Sequence, residues 1–127
     1  MKEVKTLYYS DGQLRLQVEL EDGQKHGSYA SWYPNGCKEI VCQFVNNNIH
    51  GQYMSWYPDG DQWIVCSYDH GSLHGIYHEW YNNGNPYKEC HYELGNLVGR
   101  YREWNRLFKL RRDLEIDVDI RKDIEQN

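Results

Sequence analysis

The sequence predicts an all-β protein, an elongated single-layer antiparallel meander of 24-residue β-hairpin repeats closed by a C-terminal helical cap. Three observations carry the prediction. Dipeptides ending in Gly recur every 24 residues at His26-Gly27, His50-Gly51, His74-Gly75 and Val98-Gly99. Aromatic columns keep the same step, with Tyr8, Trp32, Trp56, Trp80 and Trp104 in one and Tyr29, Tyr53, Tyr77 and Tyr101 in another. Finally, 12 Tyr and 5 Trp against 2 Phe and 2 Met supply β-propensity with polar-edged rings, which suits a sheet whose faces are half exposed.

Each unit holds two turn signals. Tyr33-Pro34-Asn35-Gly36 is echoed by Tyr57-Pro58-Asp59-Gly60 and Tyr81-Asn82-Asn83-Gly84. Glu21-Asp22-Gly23 is echoed by Val45-Asn46-Asn47, Asp69-His70-Gly71 and Glu93-Leu94-Gly95. Gly or Asn in third place tolerates the left-handed conformation that closes a three-residue hairpin loop with a bulge. Two such loops leave 18 of 24 residues for two strands of about nine each. The repeats then run over about 7–30, 31–54, 55–78 and 79–102, within an array spanning 1–104. A lone hairpin is marginal in water, so each must lean on its neighbours.

Loop geometry also suggests a register. Pairing Tyr33 with Cys37 and Leu20 with Gln24 puts Ala30, Trp32, Ile40, Cys42 and Phe44 on one face. Tyr29, Tyr33, Val41 and Gly27 then share the other, and a single bulge would invert the assignment. The strand glycines Gly27, Gly51, Gly75 and Gly99 are expected to let a neighbouring ring lie flat against the backbone. Trp32, Trp56, Trp80 and Trp104 are expected to be structural.

Residues 105–127 break the pattern, because Asn105-Arg-Leu-Phe108 stands where a Pro-Asn-Gly turn is expected. Leu107, Leu110, Leu114 and Val118 recur at helical spacing, which favours an amphipathic helix covering the last open edge. The alternation in Leu114-Glu-Ile-Asp-Val-Asp-Ile120 is a rival strand signal.

Charge excludes some partners. The net charge is −5; residues 1–104 hold 8 Lys/Arg against 13 Asp/Glu, and 105–127 hold six of each. There is no basic stripe for a phosphate backbone, and anionic lipid headgroups are disfavoured for the same reason. The opening MKEVKTLYYSDG has no apolar h-region, and no Asn-x-Ser/Thr acceptor occurs. A reducing, cytoplasmic location is the expectation.

No catalytic group, cofactor or metal site is expected. Equivalent positions in successive hairpins lie two strands, about 10 Å, apart. Disulfides need Cα atoms within about 7 Å, and zinc ligands lie about 2.3 Å from a shared ion. Cys42, Cys66 and Cys90 therefore read as buried free thiols, and His26, His50 and His74 as turn-adjacent polar residues. No nucleophile elbow, P-loop, dinucleotide fingerprint or His-Glu-x-x-His motif appears. What remains is aromatic: a single layer cannot bury both its faces, so an uncovered stripe of rings could grip a peptide or helix. Tyr29, Tyr33, Tyr53, Tyr57, Tyr77, Tyr81 and Tyr101 are the candidate binding residues for a protein partner.

The unit HGQYMSWYPDGDQWIVCSYDHGSL (50–73) resembles the MORN (membrane occupation and recognition nexus) repeat, in the variant where Gly-x-Tyr replaces Gly-x-Gly and a Tyr-Pro-Asn/Asp-Gly turn follows. The resemblance covers residues 7–104. Bacterial antitoxin-like proteins and repeat proteins of large DNA viruses are similar. The resemblance implies a twisted single-layer sheet acting as a scaffold or protein-binding module, with homodimers in some members. Lipid-headgroup or small-ligand binding, and antitoxin-like neutralisation of an enzyme, are the alternatives left open. The tail after Trp104 lies outside it.

Overall fold

The computed structural model describes residues 1–117, and these form one antiparallel sheet. Its strands are β1 (Lys2–Tyr8), β2 (Leu14–Glu21), β3 (Gln24–Trp32), β4 (Lys38–Val45), β5 (Asn48–Ile49), β6 (Gly51–Trp56), β7 (Gln62–Asp69), β8 (Ser72–Leu73), β9 (Gly75–Trp80), β10 (Pro86–Glu93), β11 (Asn96–Trp104) and β12 (Leu110–Ile116). They pair in chain order, β5 and β8 being short stubs on β4 and β7 that continue into β6 and β9 after one histidine, whose N–H still donates to the neighbouring strand. The meander predicted from the period is the observed topology. No helix occurs among the described residues, so none there is long and apolar enough to cross a membrane.

The two turn classes differ, and the difference corrects the expected register. Loops of the Pro-Asn-Gly class close as three-residue loops: Tyr33 N–H donates to Cys37 O (2.8 Å) and Gly36 N–H to Tyr33 O (3.0 Å), with Gly36 at φ +90°. The other loops hold two residues, not three. Glu21 pairs with Gln24, Val45 with Asn48, Asp69 with Ser72 and Glu93 with Asn96. Both central residues have positive φ in every case, as in Asn46 (+48°) and Asn47 (+69°), the signature of a type I′ turn whose twist matches its strands.

A bulge moves the faces as well. Trp32 pairs with Lys38 as expected, but Ser31 pairs with Ile40, leaving Glu39 as the extra residue of β4. Beyond it Tyr29 faces Cys42 and Gly27 faces Phe44. Ile40, Cys42 and Phe44 therefore share the face of Tyr29 and Tyr33, while Val41 joins Ala30 and Trp32 behind. The expectation for β3 holds and that for β4 is inverted. The same bulge recurs between Ser55 and Trp56.

The strand glycines also work differently from expectation. Gly27, Gly51, Gly75 and Gly99 all have positive φ, and a Cβ on Gly51 or Gly99 would meet nothing within 4 Å. Backbone conformation, not a ring lying against it, demands glycine there.

The chain continues through the segment expected to stop it. Asn105 N–H donates to Lys109 O (2.9 Å) and Phe108 N–H to Asn105 O (3.0 Å), so Phe108 takes the left-handed position at φ +60°. β12 then pairs with β11, matching Tyr101 to Leu114. The expected helix over 105–127 is thus replaced by a turn and a strand as far as Ile116. Its remainder, 118–127, lies outside the described residues.

The core is one column deep. Val18, Cys42, Cys66 and Cys90 are each 2–3 % exposed. Each thiol sits among rings: Tyr29 packs on Phe44 at 5.4 Å between centroids, Tyr53 on Tyr68 at 5.8 Å and Tyr77 on Tyr92 at 5.8 Å. A small side chain between large ones lets a single layer exclude water along its mid-line. Cys90, Leu97 and Tyr101 form the most buried cluster, with Leu114 and Ile116 of β12 against it.

Candidate functional site

The candidate residues were read from periodicity, and strand alternation brings all seven tyrosines to one face. That face divides by role. Tyr33, Tyr57 and Tyr81 donate their hydroxyls to the main-chain carbonyls of Trp56 (2.6 Å), Trp80 (2.7 Å) and Trp104 (2.8 Å) in the following unit. Tyr9 makes the same bond to Trp32 at 2.6 Å. Tyr9 was not singled out by the sequence, although it stands 24 residues before Tyr33. These bonds stitch each hairpin to the next, with the rings still half-buried.

The second tyrosine column lies deeper. Burial pushes the Tyr53 hydroxyl up to about 12. Burial, then the hydrogen bond to Glu79 (2.6 Å), raises Tyr77 as well. Tyr101 is 2 % exposed and donates to the buried Glu103 at 2.7 Å, so it serves the core and offers no surface. Trp32, Trp56 and Trp80 stand on the opposite face, half-buried, and Trp104 is buried.

Openness follows the chain. Towards the C-terminal end the tyrosine face is filled by the Cys90–Leu97–Tyr101 cluster. Towards the N-terminal end it holds a hollow of about 360 Å³ among Leu7, Leu16, Val18, Leu20 and Tyr29, rimmed by Lys5 and Lys25. A second, of about 250 Å³, lies between Tyr33, Tyr53, Ile40, Ile64 and Trp63, with Glu39 at its edge. The Lys25 ammonium stands over the Tyr29 and Phe44 rings at 5.7 and 5.1 Å, which orients its charge along the rim. The sequence did not reveal these hollows, because their linings are brought together from neighbouring strands by the pairing register.

The histidine column has a structural task. His26, His50 and His74 each accept, at Nδ1, the main-chain N–H of the first turn residue in the next unit: Asn46 (3.4 Å), His70 (3.1 Å) and Leu94 (3.1 Å). All four cysteines are free, and burial raises Cys42 and Cys90 to about 11 and Cys66 to about 12. One His/Asp group reaches metal-ligand spacing among the described residues: His50, Asp69 and His70. It joins two columns 20 residues apart, which a search at the 24-residue period does not compare.

An open meander of identical hairpins, stitched unit to unit by side-chain bonds to backbone, defines the class: a β-hairpin repeat protein. Residues 73–94 match the family model described as MORN repeat variant. That window is shorter than the 24-residue period, and its Tyr, Gly and Cys columns recur in the neighbouring units, so the match identifies a MORN-variant unit within the array. No curated protein matches the chain.

Proposed function

We propose that the chain is a non-catalytic protein-binding module that holds a partner segment on its tyrosine face, at the N-terminal half of the array. The observation that supports this is the hollow of about 360 Å³ over Leu7, Leu16, Val18, Leu20 and Tyr29, beside the smaller one of about 250 Å³ on the same face. Its floor takes a branched or aromatic side chain, and Lys5 and Lys25 favour a carboxylate beside it. The fitting partner is a protein segment carrying an apolar anchor next to Asp or Glu. Four free thiols suit a reducing, cytoplasmic setting. Self-association would use the same recess, with a second copy supplying the segment.

The test exploits two neighbours on opposite faces. A photo-crosslinking residue replaces Leu16, on the hollow's floor, or Gln17, which points to the other face. The proposal expects protein adducts in the native cell from position 16 and few from 17. Adducts chiefly from 17, or equal yields, refute it. Flotation with anionic vesicles, sensitive to added salt, separates the lipid-headgroup alternative.

A further inference from the structure

We propose that His50, Asp69 and His70 form a site for a borderline divalent metal ion, of the zinc type, which clasps two consecutive repeats together. The array's own construction assembles it. The turn-binding histidine at position 50 lies against the first residue of the next unit's type I′ turn, because it accepts that residue's N–H at 3.1 Å. At the equivalent junctions the turn residue is Asn46 or Leu94. Only here, among the described junctions, is it a second histidine, and it follows a carboxylate, Asp69; the equivalent pairs are Val45-Asn46, which lacks both groups, and Glu93-Leu94, which has the carboxylate without the histidine.

The geometry is already near that of a ligand set. The donor atoms of the three side chains lie within 4.8 Å of one another. Asp69 Oδ1 is 2.5 Å from His70 Nδ1 and 3.7 Å from His50 Nδ1. The two imidazole rings stand 4.4 Å apart between centroids. The side chains of His50, Asp69 and His70 are 39 %, 38 % and 68 % exposed, leaving an open path for the ion and room for small rotations.

Two imidazole nitrogens and one carboxylate oxygen suit a borderline cation that keeps water in its fourth position; calcium and magnesium would ask for oxygen throughout. The hydrogen bond at His50 Nδ1 competes with coordination by that ring. Metal binding therefore frees the His70 amide while it fixes the turn of one repeat to the histidine of the one before.

The test titrates the full-length chain carrying Cys37→Ser with zinc ion alone, by calorimetry; this removes the one thiol that is not buried. Cobalt ion serves as the spectroscopic probe. Binding of one ion is expected, with d–d bands and no thiolate charge-transfer band. His70→Asn restores the residue type that occupies the same turn position at Asn46, so the fold is kept. It should weaken binding at least about tenfold, the loss that removal of even an outer-shell partner causes. Asp69→Asn should act likewise, and His26→Gln should leave binding unchanged. Absence of binding, or an affinity unaltered by His70→Asn, overturns the proposal.

Discussion

The phenolic oxygen of Tyr57 lies 2.7 Å from the carbonyl oxygen of Trp80 in the next repeat and donates a hydrogen bond to it. Tyr9, Tyr33 and Tyr81 repeat the contact, so the tyrosine that follows Tyr8, Trp32, Trp56 or Trp80 joins hairpins besides lining a face. Replacing Tyr57 by Phe keeps the ring and deletes only this bond. The expected cost is about 1 kcal/mol, read as a lower midpoint in denaturant unfolding at unchanged slope.

A second prediction concerns turn residues in the wrong chemistry for their conformation. Leu94 has φ +45° and is 63 % exposed, in the first place of a type I′ turn where Asn46 and Asp22 serve elsewhere. Leu94→Asn should relieve the left-handed strain and stabilise the protein by up to about 1 kcal/mol. A thermal midpoint that fails to rise would show that the leucine side chain has a role in its neighbourhood.

Gly51 tests the opposite change. A Cβ there has free space, yet φ is +89°. Gly51→Ala should cost about 1–2 kcal/mol through conformation alone. If crowding were the reason for glycine, as a ring lying on the backbone would require, the open space around Gly51 would make this substitution harmless.

The thiols set an alkaline limit. Cys42, Cys66 and Cys90 are raised from an ordinary value of 9.0 to about 11, 12 and 11, each chiefly by burial. Their neutral forms are favoured in the folded chain, so the stabilisation is complete below pH 9 and declines as pH rises towards 11–12, where the unfolded chain ionises first. Tyr53, raised to about 12, adds to the decline. Denaturant midpoints measured from pH 8 upward should fall beyond pH 9. At pH 8 an alkylating reagent should label Cys37 quickly and the other three only on unfolding.

Much of the fold was legible because a repeat multiplies weak signals: Pro34-Asn35-Gly36 alone is a hint, and Pro58-Asp59-Gly60 and Asn82-Asn83-Gly84 in step with it fix the hairpins. What escaped depends on counting backbone residues across a pair of strands. Glu21-Asp22-Gly23 reads as a three-residue loop or as a two-residue turn after Glu21, and only pairing decides. The extra residue at Glu39 leaves no trace in composition, yet it turns Ile40, Cys42 and Phe44 to the tyrosine side. Phe108 hid a turn because glycine is the usual occupant of its conformation. The candidate tyrosines were found together but their two roles were not, since whether a ring lines a surface or binds a carbonyl depends on the strand beside it. Tyr9 was within reach of the period itself.

The register decides which face carries the tyrosines, the thiols and the hollows together. Ring-to-ring and ring-to-methyl nuclear Overhauser effects from Tyr29 in solution measure it most directly. Contacts from Tyr29 to Phe44, whose centroids stand 5.4 Å apart, with matching contacts between Tyr53 and Tyr68, are the predicted result. Contacts from Tyr29 to the methyls of Val41, with none to Phe44, would contradict it.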